Sequence, residues 1–116
     1  MRAGSGAEAE RRARLHYRLR GYRVLAENAW AAGHELDLVV RRGRTLVFCE
    51  VKAKQGRGYG DPEEMVDSEK QRRLRRAAEA WLDTRPDLAD LDVTFEVVAV
   101  TNGRIDRIRD PLLPNR

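Results

Sequence analysis

The 116-residue chain is short of several residue types, and each shortage removes a class of function. Its single cysteine, Cys49, rules out an internal disulfide, and its place in an apolar run reads as a small core hydrophobe. Two scattered histidines, His16 and His34, make no nucleophile–base relay with that cysteine. No apolar run approaches the roughly 20 residues that cross a bilayer, so no membrane partner is expected. The charged amino terminus lacks an apolar core segment, which argues against a secretory signal and for a cytoplasmic location. The Gly-rich stretch Gln55-Gly56-Arg57-Gly58-Tyr59-Gly60 lacks the Gly-Lys-Ser/Thr ending of a phosphate-cradling loop, which excludes a nucleotide site of that kind. Repeats and low-complexity linkers are absent. The length fits one domain, 1–116, with a loose tail at about 111–116.

Lysine is scarce too, and what replaces it is informative. Lys52, Lys54 and Lys70 stand against twenty arginines. Net charge is +4 and the isoelectric point about 9.7, yet 19 acids are present, so this is no simple polybasic segment. The arginines cluster at Arg11, Arg12, Arg14, Arg18 and Arg20, at Arg41, Arg42 and Arg44, and at Arg72, Arg73, Arg75 and Arg76. Such clusters suit a phosphate backbone, although arginine can equally fill solvated helix faces.

Periodicity divides the chain into elements. Residues from about Gly6 to Arg20 read as a helix with a thin apolar stripe of Ala9, Ala13, Leu15 and Leu19, stopped by Gly21. Tyr22 to Ala29 reads as a strand, as do His34–Val40 and Leu46–Lys52. Asp61-Pro62-Glu63-Glu64 opens a second helix with a cap, a proline at its first position and acids in its first turn. That helix runs to about Thr84 with Val66, Lys70, Leu74, Ala77, Ala78, Trp81 and Leu82 on one face. Lys70 on that face is expected to snorkel to solvent. Val93–Val100 is a further strand, and Asn102-Gly103 turns it into Ile105–Arg109. The order predicts an α/β domain with a mixed central sheet flanked by helices.

The two middle strands hold the chemistry. Thr45–Val51 is almost continuously apolar, as in a strand covered on both faces, yet Glu50 and Lys52 end it. Buried charges of this kind are rare unless paired or bound to metal. A plain Glu50/Lys52 ion pair would explain them. The preceding strand, however, carries Glu35 and Asp37, and alternation places Leu36, Leu38 and Val40 on the face opposite those acids. A two-residue turn at Arg42-Gly43 would pair Arg41 with Arg44, Asp37 with Phe48 and Glu35 with Glu50. All the acids would then share one face, with Asp37 diagonal to Glu50 and within reach of a common ion. Phosphodiester hydrolysis asks for such a set: carboxylates to hold a divalent cation and an ammonium to steady water and developing charge.

At this point the chain resembles the small bacterial YraN family, within the PD-(D/E)xK restriction-endonuclease-like superfamily, similar in architecture to archaeal Holliday-junction resolvases. The resemblance spans nearly the whole chain. It is carried by Glu10, Gly21-Tyr22, Asn28, Gly33-His34-Glu35-Leu36-Asp37-Leu38-Val39, Phe48-Cys49-Glu50-Val51-Lys52, Gly60 and Lys70. It implies an αβββαβ core, Asp37 and Glu50 as magnesium ligands, and Lys52 as the residue that orients or activates water. Glu10 matches a first-helix acid that completes such a site, and Glu35 the family's other acid. Ala9 and His34 stand where the family usually has glycine.

The expected function is a Mg²⁺-dependent endonuclease (Mn²⁺ as a substitute) acting on DNA, of branched or damaged form. Lys54, Arg57, Lys70, Arg73 and Arg42 are the candidates for contact with nucleic acid. The alternative is a non-catalytic nucleic-acid-binding module that keeps the fold, and an interaction protein with an acidic partner is a third reading. Three acids on one face of a basic surface would repel phosphate unless a cation intervenes, which favours a metal. Cutting a symmetric junction would call for a homodimer.

Overall fold

The computed structural model describes residues 3–54 and 68–109. Its elements run α1 (Ala3–Arg18), β1 (Arg23–Ala31), β2 (His34–Arg42), β3 (Thr45–Lys54), α2 (Ser68–Asp83), a 3-10 turn (Pro86–Leu88), β4 (Asp92–Thr101) and β5 (Arg104–Arg109). The expected start of the second helix at Asp61, Val66, the Gly-rich stretch with Arg57, and the tail lie outside the described residues. The sheet order is β1-β2-β3-β4-β5, with β3 and β4 parallel and every other neighbour pair antiparallel. Helices cover both faces, so this is the mixed α/β architecture the element order predicts, and its order is compatible with a restriction-endonuclease-like core.

Local chemistry explains the joints. The last turn of α1 closes with Tyr22 N–H on the Tyr17 carbonyl and Gly21 N–H on the Arg18 carbonyl, at 3.0 and 3.1 Å. This six-to-one and five-to-two pattern needs a left-handed residue, which Gly21 supplies at φ 87°. Asn102 and Gly103, at φ 52° and 81°, form the tight turn between β4 and β5.

The sheet separates two cores. Leu46 and Phe48 of β3 pack with Leu74, Ala77, Ala78 and Leu82 of α2. Val47 and Cys49 point the other way, against Ala9, Ala13 and Tyr17 of α1. The α2 face agrees with its periodicity. The α1 face does not: the buried stripe is Ala9–Ala13–Tyr17, while Leu15 and Leu19 are exposed. Tyr17 wins because its hydroxyl finds a partner, donating to Glu96 Oε1 at 2.5 Å. Arg107 grips the same carboxylate with two hydrogen bonds of 2.9 and 3.0 Å and lies 4.6 Å over the Tyr17 ring. Burial alone would raise the Glu96 pKa; the Arg107 and Tyr17 hydrogen bonds outweigh it and hold the carboxyl below its usual range.

Two expectations about β2 and β3 are corrected. Arg42 pairs with Thr45, so the turn is Gly43-Arg44, one residue later than expected. Only Gly43 of that pair has positive φ (61°), the signature of a turn with glycine at its first central position. The shift moves each partner by two residues and so preserves which face each side chain takes. The second correction concerns Leu36, which packs with Val39 on the α2 side instead of joining Leu38 and Val40. Alternation breaks at Asp37, which faces Asn28 between the Glu27–Leu38 and Ala29–Leu36 pairs, and Asn28 is itself left-handed at φ 50°.

Candidate metal centre at the parting of two strands

The pairing of β2 with β3 runs from Arg42–Thr45 to Leu38–Cys49. Beyond it, the Asp37 carboxylate takes the place of a ladder partner, accepting the Val51 N–H at 2.9 Å through Oδ2. A pocket of about 380 Å³ opens there, lined by Gly6, Ala9 and Glu10 of α1, Glu35 and Asp37 of β2, and Glu50, Val51, Lys52 and Ala53 of β3. Glu10 comes from the α1 side and Glu50 from the α2 side. Glu10 and Glu50 thus reach the pocket from opposite sides of the sheet, at the parting of the strands.

Glu50 is the centre of the constellation. It is 5% exposed and closes the covered stretch of β3. Its Oε2 lies 2.8 Å from Lys70 Nζ and 3.5 Å from Lys52 Nζ. Its Oε1 is buried and has no hydrogen-bond partner among the described residues. An anionic oxygen left in that state costs free energy, so it points to an absent ligand. Lys70 does not snorkel to solvent as expected; α2 packs close enough over Phe48 to bring its ammonium onto Glu50.

The surrounding charges perturb one another. Burial first, then the Glu50 charge, push the Asp37 carboxyl up to about 7, against the Val51 N–H and with further help from Glu10 and Glu35. Burial and the neighbouring Lys70 ammonium lower Lys52, despite Glu50. Burial works against the charge on Lys70 as well, yet contact with Glu50 leaves it raised. So many carboxylates in one pocket call for more positive charge than two lysines provide.

The donors suit a hard divalent cation. Carboxylate oxygens are the ligands of Mg²⁺ and Mn²⁺, and Mg²⁺ commonly takes one or two of them plus waters and substrate oxygens. Among the described residues no three acid, histidine or cysteine side chains form a ready cage.

Glu10 is held by a residue whose part the sequence alone did not disclose. Asn28 Nδ2 donates to Glu10 Oε1 at 3.2 Å, across from α1 to β1. The available signal is an asparagine inside a strand, since Asn tolerates the left-handed region that Asn28 occupies better than most residues. Of the expected nucleic-acid contacts, Lys70 sits in the site itself. Arg73 lies on the exposed face of α2, paired with Glu69 at 3.1 Å. Arg42 is at the far end of the hairpin, donating to the Arg20 carbonyl at 2.9 Å and lying 4.6 Å over the Tyr22 ring. The Lys54 side chain and Arg57 lie outside the described residues.

Comparison with known proteins identifies the company this chain keeps. Residues 9–100 match the model of a family described as uncharacterised protein family UPF0102. A UPF0102 protein of Parvibaculum lavamentivorans is 48% identical over 103 residues, covering 88% of this chain and 75% of that protein. One from Halorhodospira halophila is 39% identical over 105 residues, covering 90% and 84%. One from Geobacter sulfurreducens is 45% identical over 80 residues, which span 69% of this chain and 62% of that protein.

Proposed function

The chain belongs to the uncharacterised UPF0102 family, and we propose that it is a metal-dependent endonuclease of the PD-(D/E)xK kind, hydrolysing phosphodiester bonds of DNA. The observation that carries this reading is the buried, unpartnered Oε1 of Glu50 in a pocket shared with Glu10, Glu35 and Asp37. The αβββαβ order, with Asp37 and Glu50-Val51-Lys52 at the strand parting, is consistent with it.

Asp37 and Glu50 would hold Mg²⁺ or Mn²⁺, and Glu10 lines the same pocket. A bound ion supplies Lewis-acid activation of the phosphate and of an attacking water. The chain's own groups do the rest. Asp37, anchored by the Val51 N–H, presents its second oxygen at a fixed angle. Lys70 neutralises Oε2 of Glu50 and keeps that carboxylate from swinging. Lys52 leans on the same oxygen more loosely and can turn toward the phosphate, steadying the water and the charge that grows in the transition state. The low exposure of Glu50 makes each of these charge interactions stronger than it would be in water.

A second reading, a nucleic-acid-binding module without turnover, has one observation in its favour: two ammonium groups already face Glu50 Oε2. Calorimetric titration of Mg²⁺ and Mn²⁺ into the wild type and Glu50→Ala, beside cleavage assays on branched, nicked and single-stranded DNA, separates the two. Metal binding with cleavage, both lost in the variant, is the expected result. A wild type that takes up no metal even with DNA present would end the nuclease reading in favour of the binding module.

A further inference from the structure

A second pocket, of about 310 Å³, lies at the opposite end of the β2–β3 hairpin and is lined by Gly21, Arg23, Arg41, Arg42 and Gly43. No acid lines it. Arg23 and Arg41 are Cα partners across β1 and β2, so two guanidinium groups are set opposite one another, an arrangement that costs stability in the absence of an anion. Several helix arginines are paired with acids, Arg11 and Arg12 with Glu8 and Arg72 and Arg73 with Glu69, whereas Arg18, Arg75 and Arg76 stand singly on exposed helix faces and line neither pocket. Among the described residues no carboxylate comes within ion-pair distance of Arg23, Arg41 or Arg42. Two of the three are braced by backbone oxygens instead, Arg41 on the Gly43 carbonyl at 2.9 Å and Arg42 on that of Arg20. The main chain thus holds the side chains in place, and Asp87 acts on Arg41 only from beyond ion-pair distance. Both glycines are left-handed, and Gly21 brings its backbone close to Arg42, where an added Cβ would lie 3.6 Å from Cδ.

We propose that this arginine pocket binds a phosphate group of the nucleic acid backbone, as an anchoring subsite remote from the acidic pocket. The guanidinium fork matches phosphate oxygens in shape as well as in charge. Arg41 lies four steps along β2 from Asp37, about 13 Å at about 3.3 Å per residue. Measured along the axis of a duplex, that distance equals roughly four base-pair steps, at about 3.4 Å each. The anchor would fix the register of the strand that reaches the acids, which by themselves repel it. The inference deepens the nuclease reading, because the ligand is the same substrate, but the two can fail separately.

The experiment measures duplex DNA affinity against salt for the wild type, Arg23→Gln, and the Arg23→Gln/Arg41→Gln pair. Arg23→Gln breaks no hydrogen bond or ion pair among the described residues, so it guards against a folding artefact from loosening the Gly43 turn. Loss of that one phosphate contact should lower the slope of log affinity against log salt by about 0.9 in the pair, and by part of that in Arg23→Gln. Magnesium affinity should stay unchanged in both variants. An unchanged slope overturns the proposal. A parallel titration with inorganic phosphate, followed by the amide NMR signals of Gly21 and Gly43, tests the other source of the same chemistry. Shifts there with an unaltered DNA slope would make this a small-phosphate site and overturn the backbone assignment. Cleavage that persists while both variants bind like wild type sinks this inference and spares the nuclease. Arginine-dependent binding without metal-dependent cleavage does the reverse.

Discussion

Lys70 Nζ stands 2.8 Å from Glu50 Oε2, closer than Lys52 at 3.5 Å, although Lys52 is two residues from Glu50 in sequence and Lys70 is twenty residues away on α2. The helix, not the strand, therefore supplies the principal counter-charge to the most buried acid. Removing it strands that carboxylate. Lys70→Met should cost about 1–2 kcal/mol in urea denaturation, less than the 3–5 of a fully buried pair because Lys52 remains and the Lys70 side chain is 31% exposed. In a Glu50→Gln background the same substitution should cost less than half as much. Equal costs in both backgrounds would mean the pair carries no interaction energy.

Asp37 gives the metal-free protein a definite pH dependence. Its carboxyl has an ordinary value of 3.8 and is pushed up to about 7 in the fold, by burial first and then by Glu50. Between those values the folded state keeps a proton that the unfolded chain has released. Stability from this group is thus full below about 4 and declines as pH rises through 7. Urea midpoints of metal-free wild type and Asp37→Asn, compared from pH 5 to pH 8, check this. The difference should move in favour of the variant as pH rises, and a difference flat across that range would show that Asp37 titrates normally.

The Tyr17–Glu96–Arg107 cluster should behave with the opposite sign. Glu96 is held below its usual range, so its contribution is present at neutral pH and is lost as pH falls through its folded value. Glu96→Ala leaves the fully buried Tyr17 hydroxyl and a largely buried guanidinium without their acceptor. A loss of about 2–3 kcal/mol at pH 7 is expected. Thermal melts of the variant and wild type should converge toward pH 3, and a gap that stays constant would remove the charge from the explanation.

What could be read from the residues alone follows from how local each determinant is. The strands, the second helix face and the two hairpins that turn at Gly43 and Gly103 rest on alternation, helical spacing and turn glycines, all of which act within a few residues. Cys49 and Trp81 fall in or against the core as their neighbours suggest. The misplacements are non-local. Tyr17 took the buried stripe from Leu15 and Leu19 because its partner Glu96 lies 79 residues away. Lys70 reached Glu50 because α2 folds over the sheet, which helical periodicity cannot disclose. Leu36 changed sides because two strands break alternation together at Asn28 and Asp37, and neither shows it alone. The shifted turn at Gly43 left the facing intact only because a two-residue change in pairing conserves parity.

Asn28 offers a way to test Glu10 without touching an acid. Its side chain steadies Glu10 through a single hydrogen bond of 3.2 Å, while its backbone occupies the left-handed region at φ 50°. Replacement by alanine would confuse the two roles, since alanine strains there. Asn28→Gly keeps the backbone at ease and removes only the amide, so stability should change by less than about 1 kcal/mol. If Glu10 completes the metal set, its loss of orientation should weaken Mg²⁺ binding by about tenfold, the lower end of what supporting residues contribute to metal sites. Calorimetry on the folded variant reads this directly. An affinity equal to wild type would take Glu10 out of the site and leave Asp37 and Glu50 as the carboxylates that hold the ion.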